Sequence, residues 1–254
     1  MPTLATINVT PMKGTALHQL ADAALTDVGI SGNRRFFLVN ERGNLFSGLA
    51  HGPLVQVIAT IFGTTLECRF PDGSVVAATT ERLGGPVVCD FYGRRVAAHF
   101  VEGPFSDAFT AYVGEPVRLV RADRDGDGPD VLPLTVVSFA SVEELARRGD
   151  RPGLGSRRFR INLELDAAEP FEEDSWDGRR VRIGDAVIRI MGQIPRCAVT
   201  TQDPSTGLRD WNTLKQIARI RPLMPTKQVP FGVYATVEEP GRVRIGDEVR
   251  PLQG

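Results

Sequence analysis

One cysteine in this chain stands where its chemistry would be useful. Cys197 lies in the run Ile194-Pro195-Arg196-Cys197-Ala198-Val199-Thr200-Thr201, ahead of Asp203-Pro204-Ser205-Thr206-Gly207. A proline ends regular strand pairing and an Asp-Pro-Ser-Thr-Gly stretch reads as a turn, so the thiol belongs near a strand end rather than in mid-core. The cation beside it favours thiolate over thiol, and a thiolate is both a nucleophile and a soft donor to a transition metal. Upstream, Arg157-Arg158-Phe159-Arg160-Ile161-Asn162 leads into an apolar strand. Arg160, Arg196 and Asn162 together could hold a phosphorylated ligand, because the guanidinium fork matches phosphate oxygens in pairs. The competing reading is an inert buried cysteine beside a surface arginine, and residue types alone leave both open.

Other candidates have plainer readings. Cys68 and Cys89 alternate with apolar neighbours and read as small core residues, and with Cys197 they make an odd, widely spaced set of three with no C-x-x-C pair. That argues against a disulfide framework, a structural zinc site and a four-ligand iron-sulfur cluster. His18, His51 and His99 lack the spacing of a helical metal pair. Asp123, Asp125 and Asp127 mimic half of a calcium loop, but Leu134 stands where a bidentate Glu is needed, so the stretch reads as a solvated linker. Trp176 and Trp211 read as edge aromatics, Gly84-Gly85-Pro86 as a turn, and Arg147 to Arg158 as mostly solvated loop. No G-x-G-x-x-G fingerprint offers a dinucleotide site.

The elements that must position Cys197 are mainly strands. The 254 residues, 42% of them hydrophobic, can bury a real core. Short β-branched segments punctuated by Gly, Pro and Asp predict sheets or barrels with mostly antiparallel pairing, and Gly43-Asn44 and Asp72-Gly73 predict hairpin turns. Three short helices are expected, over 106–113 before Gly114, over 141–149 from a capping box at Ser141, and over 213–221 before Pro222. Val181-Arg182-Ile183-Gly184-Asp185-Ala186-Val187 returns as Val243-Arg244-Ile245-Gly246-Asp247-Glu248-Val249, predicting two similar hairpins in one barrel. The acidic, Gly-rich run from Asp123 to Asp130 marks a boundary between domains at 1–122 and 123–254. A net charge of −1 gives no general attraction to nucleic acid or membranes, so an anion site must be a local cluster of Arg and Lys. With no basic leader and no span of about 20 apolar residues, a cytoplasmic protein without a membrane segment is expected.

The blocks around Cys197 and Arg160, with Glu173-Asp174-Ser175-Trp176, Phe231-Gly232-Val233-Tyr234 and Gly241-Arg242-Val243-Arg244-Ile245-Gly246-Asp247, resemble the MOSC domain. Pro11-Met12-Lys13-Gly14 and Gly32-Asn33-Arg34-Arg35-Phe36 are similar to the β-barrel domain that precedes it in amidoxime-reducing proteins. The resemblance implies a mostly β (α+β) fold, an N-terminal β-barrel domain followed by a MOSC-type β-barrel with a few short helices. It implies a molybdenum cofactor, a molybdopterin with its metal on Cys197, which would be both ligand and catalytic centre. Arg160, Asn162, Pro195 and Arg196 would hold the cofactor from the second domain, and Lys13, Gly14 and Arg34 or Arg35 from the first. The implied activity is reduction of N-hydroxylated small molecules with electrons from a separate donor protein of reductase, ferredoxin or cytochrome type. A carrier of the cofactor or of persulfide sulfur on Cys197 is the alternative. Asn33, Ile161, Pro195 and Leu49-Ala50-His51 depart from the usual family residues.

Overall fold

A computed structural model describes residues 1–129, 131–167 and 169–252, so the last residue of the expected linker, Asp130, lies outside the described residues. The chain is mostly strand. An eight-stranded sheet runs in the order Val249–Pro251, Arg180–Ile183, Ala186–Pro195, Pro230–Glu239, Leu134–Ser138, Leu163–Asp166, Thr3–Val9, His18–Leu20. Period-two alternation puts Val181, Ile183, Ile188, Ile190, Val233 and Ala235 into one core with Leu4 and Ile7. The one parallel ladder among the described strands joins Leu134–Ser138 to Leu163–Asp166. A parallel pair needs a crossover, which helix α2 (Phe139–Arg148) begins; helix α1 covers Phe105–Val113 and α3 covers Thr213–Ile220.

A five-stranded sheet holds Leu83–Phe91, Arg94–Val101, Val117–Ala122, Phe36–Asn40 and Leu45–Phe46 in that order. It shares a second core, with Leu38, Leu66, Phe105 and Phe109 fully buried, with α1 and the three-stranded meander Ile58–Phe62, Thr65–Arg69, Val75–Thr79. The first strands are not confined to this half. Thr3–Val9 pairs with Leu163–Asp166, and Asp22–Thr26 pairs with Gly241–Arg244. Residues near the N-terminus are thereby hydrogen-bonded to the sheets of the second half.

The ladders do not close the large sheet into a barrel among the described residues, since none joins its edges His18–Leu20 and Val249–Pro251, while an isolated bridge links Thr3 to Glu248. Three expectations need correction. The sequence repeat is not a structural one. Its first copy is a hairpin, whereas in the second Gly241–Arg244 pairs with Asp22–Thr26 and Val249–Pro251 with Arg180–Ile183. Asp247 accepts from the Arg244 N–H at 2.7 Å and holds a turn that sends the two strands to different sheets. Gly84-Gly85-Pro86 lies inside Leu83–Phe91 at a bulge rather than in a turn. Helix α2 is capped by Ser138, whose Oγ accepts from Ser141 N at 3.1 Å, one turn earlier than the expected box. Among the described residues, no helix is long and apolar enough to cross a membrane.

Candidate functional site

The position of Cys197 follows from the end of a strand. Ala186–Pro195 runs beside Pro230–Glu239 until Pro195 meets Pro230, where neither residue has an N–H to extend the ladder. One more bond, Arg196 N to Val229 O at 2.9 Å, ties the chain down before it leaves the sheet. Cys197 then opens a 3-10 turn over Ala198–Thr201, with its carbonyl accepting from Thr200 N at 3.2 Å and Thr200 Oγ1 at 3.0 Å. It is the exposed cysteine of the three, while Cys68 and Cys89 are fully buried. Burial pushes the Cys68 thiol up to about 12 and Cys89 to about 11, so neither ionises near neutrality.

Cys197 lines a cleft of about 530 Å³ together with Lys13, Gly14, Arg34, Arg160, Pro195 and Arg196. Among the described residues, six cationic side chains and one carboxylate, Asp203, face this space, in a chain whose net charge is −1. Each cation is held by backbone oxygen. Arg34 sits in the left-handed region at φ 55° and its Nη2 donates to Arg160 O at 3.0 Å. Arg160 is left-handed too, at φ 53°, ending the short 3-10 turn Ser156–Phe159, and its Nη2 donates to Thr15 O at 2.7 Å. The two arginines thus interlock segments far apart in sequence. Lys13 is nearly buried, with Nζ donating to Gly128 O at 3.0 Å and lying 5.4 Å from the centre of the Phe91 ring. Gly14, at φ 93°, takes the turn after it.

Arg196 is held at two points and against a ring. Its Nε donates to Phe231 O at 2.8 Å and Nη1 to Phe159 O at 3.3 Å, with the guanidinium 5.4 Å from the Phe159 ring centre. Its Nη2 is buried with no hydrogen-bond partner. Burial pulls this guanidinium down to about 10, with Arg34 adding to the shift and Tyr234 and Cys197 opposing it. It remains charged at neutral pH. A buried N–H of a cation without an acceptor is costly unless something supplies one.

Two predicted residues are not in the cleft lining. Asn162 is buried beneath it, donating from Nδ2 to Asn8 O at 3.1 Å and accepting at Oδ1 from Thr135 Oγ1 at 3.0 Å. It fixes Thr135, which does line the cleft. Arg35 turns away and pairs with Asp125 at 3.1 Å, so Arg34 is the member of that pair at the site. The neighbouring Asp123 meets His99 at 2.7 Å and Asp127 faces Arg94 at 3.8 Å, which accounts for the three acidic residues of the half calcium loop.

Several lining residues were not singled out by sequence. Arg158, read as part of a solvated loop, is a buried strut: its Nη1 donates to Gln202 O at 2.7 Å and Thr200 O at 3.3 Å, and it grips Asp210 at 2.8 and 2.9 Å. The Arg158 bonds hold the Asp210 carboxyl below its usual range. This strut braces the turn that follows Cys197. On the far side of that turn Gln202 Nε2 donates to Gly48 O at 2.9 Å, and the backbones of Gly52 and Gly207 pack so closely that a Cβ on Gly207 would come within 2.1 Å of Gly52. Ser47, Tyr92 and Tyr234 also line the cleft. Only Tyr234, in the Phe231-Gly232-Val233-Tyr234 block, had a sequence signal.

Comparison with known proteins gives the family to which the chain is similar. The family model described as MOSC domain matches residues 123–250. The chain is 26% identical to mitochondrial amidoxime reducing component 2 of Macaca fascicularis, over 97% of the chain and 82% of that protein. It is 25% identical to mitochondrial amidoxime-reducing component 1 of Homo sapiens, over 97% and 82%, and 27% identical to that of Mus musculus, over 97% and 81%. Among solved structures, the YUAD protein from Bacillus subtilis matches at 14% identity and a TM-score of 0.46, covering 100% of this chain and 98% of the other.

Proposed function

The chain belongs to the MOSC domain family, and we propose that it is a molybdenum-cofactor oxidoreductase that reduces N-hydroxylated compounds such as amidoximes and hydroxylamines. The observation that carries this reading is an exposed thiol, Cys197, in a cleft with Lys13, Arg34, Arg160 and Arg196. Those residues suit the group. A soft sulfur donor suits molybdenum, and guanidinium and ammonium groups suit the pterin phosphate. The unpartnered N–H on Arg196 Nη2 is a buried donor that an anionic ligand would satisfy. Lys13, Gly14 and Arg34 would hold the cofactor from within residues 1–122, and Arg160, Pro195 and Arg196 from within 123–254, the two domains of this reading. Asn162 would act by holding Thr135 in place, and Arg35 by tethering the 123–129 stretch.

When bound, the cofactor would supply a metal centre that exchanges two electrons. The overall change is balanced by two electrons and two protons, which convert the N–OH group to N–H and release water. Cys197 would hold the metal at the open end of the strand. The arginines, fixed by backbone oxygens, would keep the phosphate in place without rearranging. Among the described residues the three cysteines are free, and two are buried in separate cores, so electrons would come from a separate donor of reductase, ferredoxin or cytochrome type. Unpaired thiols also support a reducing, cytoplasmic setting. The names of the relatives, amidoxime-reducing components, support the substrate class.

The test is elemental analysis of protein made in a host that synthesises the cofactor, with Cys197→Ala beside it and circular dichroism to establish that both fold. The expected result is about one molybdenum per chain in the wild type, lost in the variant, with reduction of benzamidoxime by a chemical electron donor. Molybdenum-free protein bearing cyanide-releasable sulfur on Cys197 would replace this reading with the carrier, and neither metal nor sulfur would end both.

A further inference from the structure

We propose that Tyr92 is the specificity-determining wall of the cleft and selects substrates whose N-hydroxylated group sits on a flat aromatic scaffold. This deepens the reading above and rests on it. Tyr92 and Gly93 form the two-residue turn between Leu83–Phe91 and Arg94–Val101, where Phe91 pairs with Arg94. Both turn residues have positive φ, 55° for Tyr92 and 96° for Gly93. A turn of this kind favours Asn or Asp before Gly, and a bulky aromatic there is a backbone outlier. The turn geometry by itself therefore does not favour tyrosine, and what selects it is the reach of the side chain.

What the ring reaches is the cleft. Tyr92 is 66% exposed and its hydroxyl hydrogen-bonds Ser47 Oγ at 3.0 Å, and both residues line the space that holds Cys197. The hairpin tip beneath it is fixed at several points. Asp90 Oδ1 accepts from Gly93 N at 2.8 Å. Phe91 is buried, edge-on to Phe37 at 4.6 Å, with the Arg94 guanidinium 5.1 Å from its centre. Arg94 Nη2 in turn donates to the carbonyls of Asp127 and Pro129 at 2.6 and 2.7 Å. Phe91 also carries Lys13 over its ring, so the tip that presents Tyr92 is braced against a cleft cation.

The lining divides by chemistry. Lys13, Arg34, Arg160 and Arg196 serve anionic groups, whereas Tyr92, Leu49 and Val131 are exposed apolar surface at the same space. A ring held by a braced backbone and by its own hydroxyl offers a flat face at small entropic cost. Aromatic pairing adds to apolar burial enough to change affinity about tenfold. An alkyl substrate cannot use that face equally.

The experiment compares kcat/KM for benzamidoxime and acetamidoxime in the molybdenum-loaded protein with a chemical electron donor. The ratio of the two cancels changes in cofactor loading. Tyr92→Asn, which suits the turn better than tyrosine does, and Tyr92→Ala should each lower the aryl-to-alkyl ratio about tenfold, while Tyr92→Phe should hold it within about twofold. Calorimetric binding of benzamidine, the aryl product, should weaken about tenfold in Tyr92→Asn. An unchanged ratio in Tyr92→Asn overturns the proposal, as does benzamidine binding that is absent or equal in both proteins. If the wild type reduces neither amidoxime yet binds benzamidine through Tyr92, the aromatic subsite stands and the reductase reading falls.

Discussion

Replacing Arg158 by Met removes the strut under the turn after Cys197 while keeping most of its aliphatic length. Three consequences add. The Gln202 carbonyl loses a charged donor at 2.7 Å, and an acceptor left unpaired in a part-buried place costs about 2 kcal/mol. The Thr200 carbonyl loses little, because Thr213 Oγ1 still donates to it. The ion pair with Asp210 joins an arginine side chain 3% exposed to a carboxylate 23% exposed, so water screens one end and the pair is worth about 1 kcal/mol. Arg158→Met should therefore lose about 3 kcal/mol at pH 7 in equilibrium urea unfolding. The Asp210 share has a definite pH dependence. Arg158 holds the folded carboxyl below its usual value, so the stabilisation is present above about pH 3.9 and is lost as pH falls through the lower folded value. The deficit of the variant should shrink by about 1 kcal/mol between pH 7 and strong acid. A deficit below about 1 kcal/mol at pH 7, or one that is constant with pH, would refute the assignment of Arg158 as a strut.

The glycine contact across the cleft wall makes a second case. Gly207→Ala puts a Cβ at a φ of 75° and 2.1 Å from Gly52, so it should cost more than about 2 kcal/mol and lower Tm by more than about 4 °C. Gly32→Ala, at φ 74° with nothing within 4 Å, should cost only about 1 kcal/mol, and equal losses in the two would show that the close approach does not exist. Glu173 is fully buried with Ser141 Oγ at 2.8 Å on Oε1, Oε2 unpartnered, and a carboxyl raised by burial. A raised folded value means that the native state binds the proton more tightly, so wild-type stability falls as pH rises from the ordinary glutamate value of about 4.3 through the folded one. Glu173→Gln should match the wild type near pH 4 and gain on it toward neutrality, as thermal melts over that range would register; a variant that falls behind as pH rises contradicts the burial argument.

Where the sequence was readable, the signal was local. Pro195 announced that a strand ends beside Cys197, and the ladder does end there, against Pro230. Glycines and β-branched runs announced strands and hairpins, and Gly114 closes α1 with a left-handed cap. What failed were statements about partners. The repeated Val-Arg-Ile-Gly-Asp motif specifies a strand and a turn in both copies, but the partner of each strand is chosen by whichever edge is available. In the second copy that edge belongs to residues 22–26 for one strand and 180–183 for the other. Asn162 was close to Arg160 in sequence, yet Arg160 sits in a left-handed turn before the strand begins, so the two do not share a face, and the Asn162 side chain bonds Asn8 and Thr135 beneath the cleft. Arg34 and Arg35 are adjacent, but the first adopts a left-handed turn and lines the cleft while the second pairs with Asp125.

The deeper reason is the chemistry of the clamp itself. Arg34 is held by the Arg160 carbonyl, Arg160 by that of Thr15, Arg196 by those of Phe231 and Phe159, and Lys13 by that of Gly128. Every residue carries a carbonyl, so an arginine anchored on backbone leaves no complementary side chain for a reader of the sequence to find. Arg158 shows the same thing in part, since two of its acceptors are carbonyls and its one side-chain partner, Asp210, lies 52 residues away. A carbonyl that accepts from a guanidinium fixes its direction without removing its charge. The backbone anchoring that hides these side chains from sequence reasoning is also what fixes their direction at the cleft.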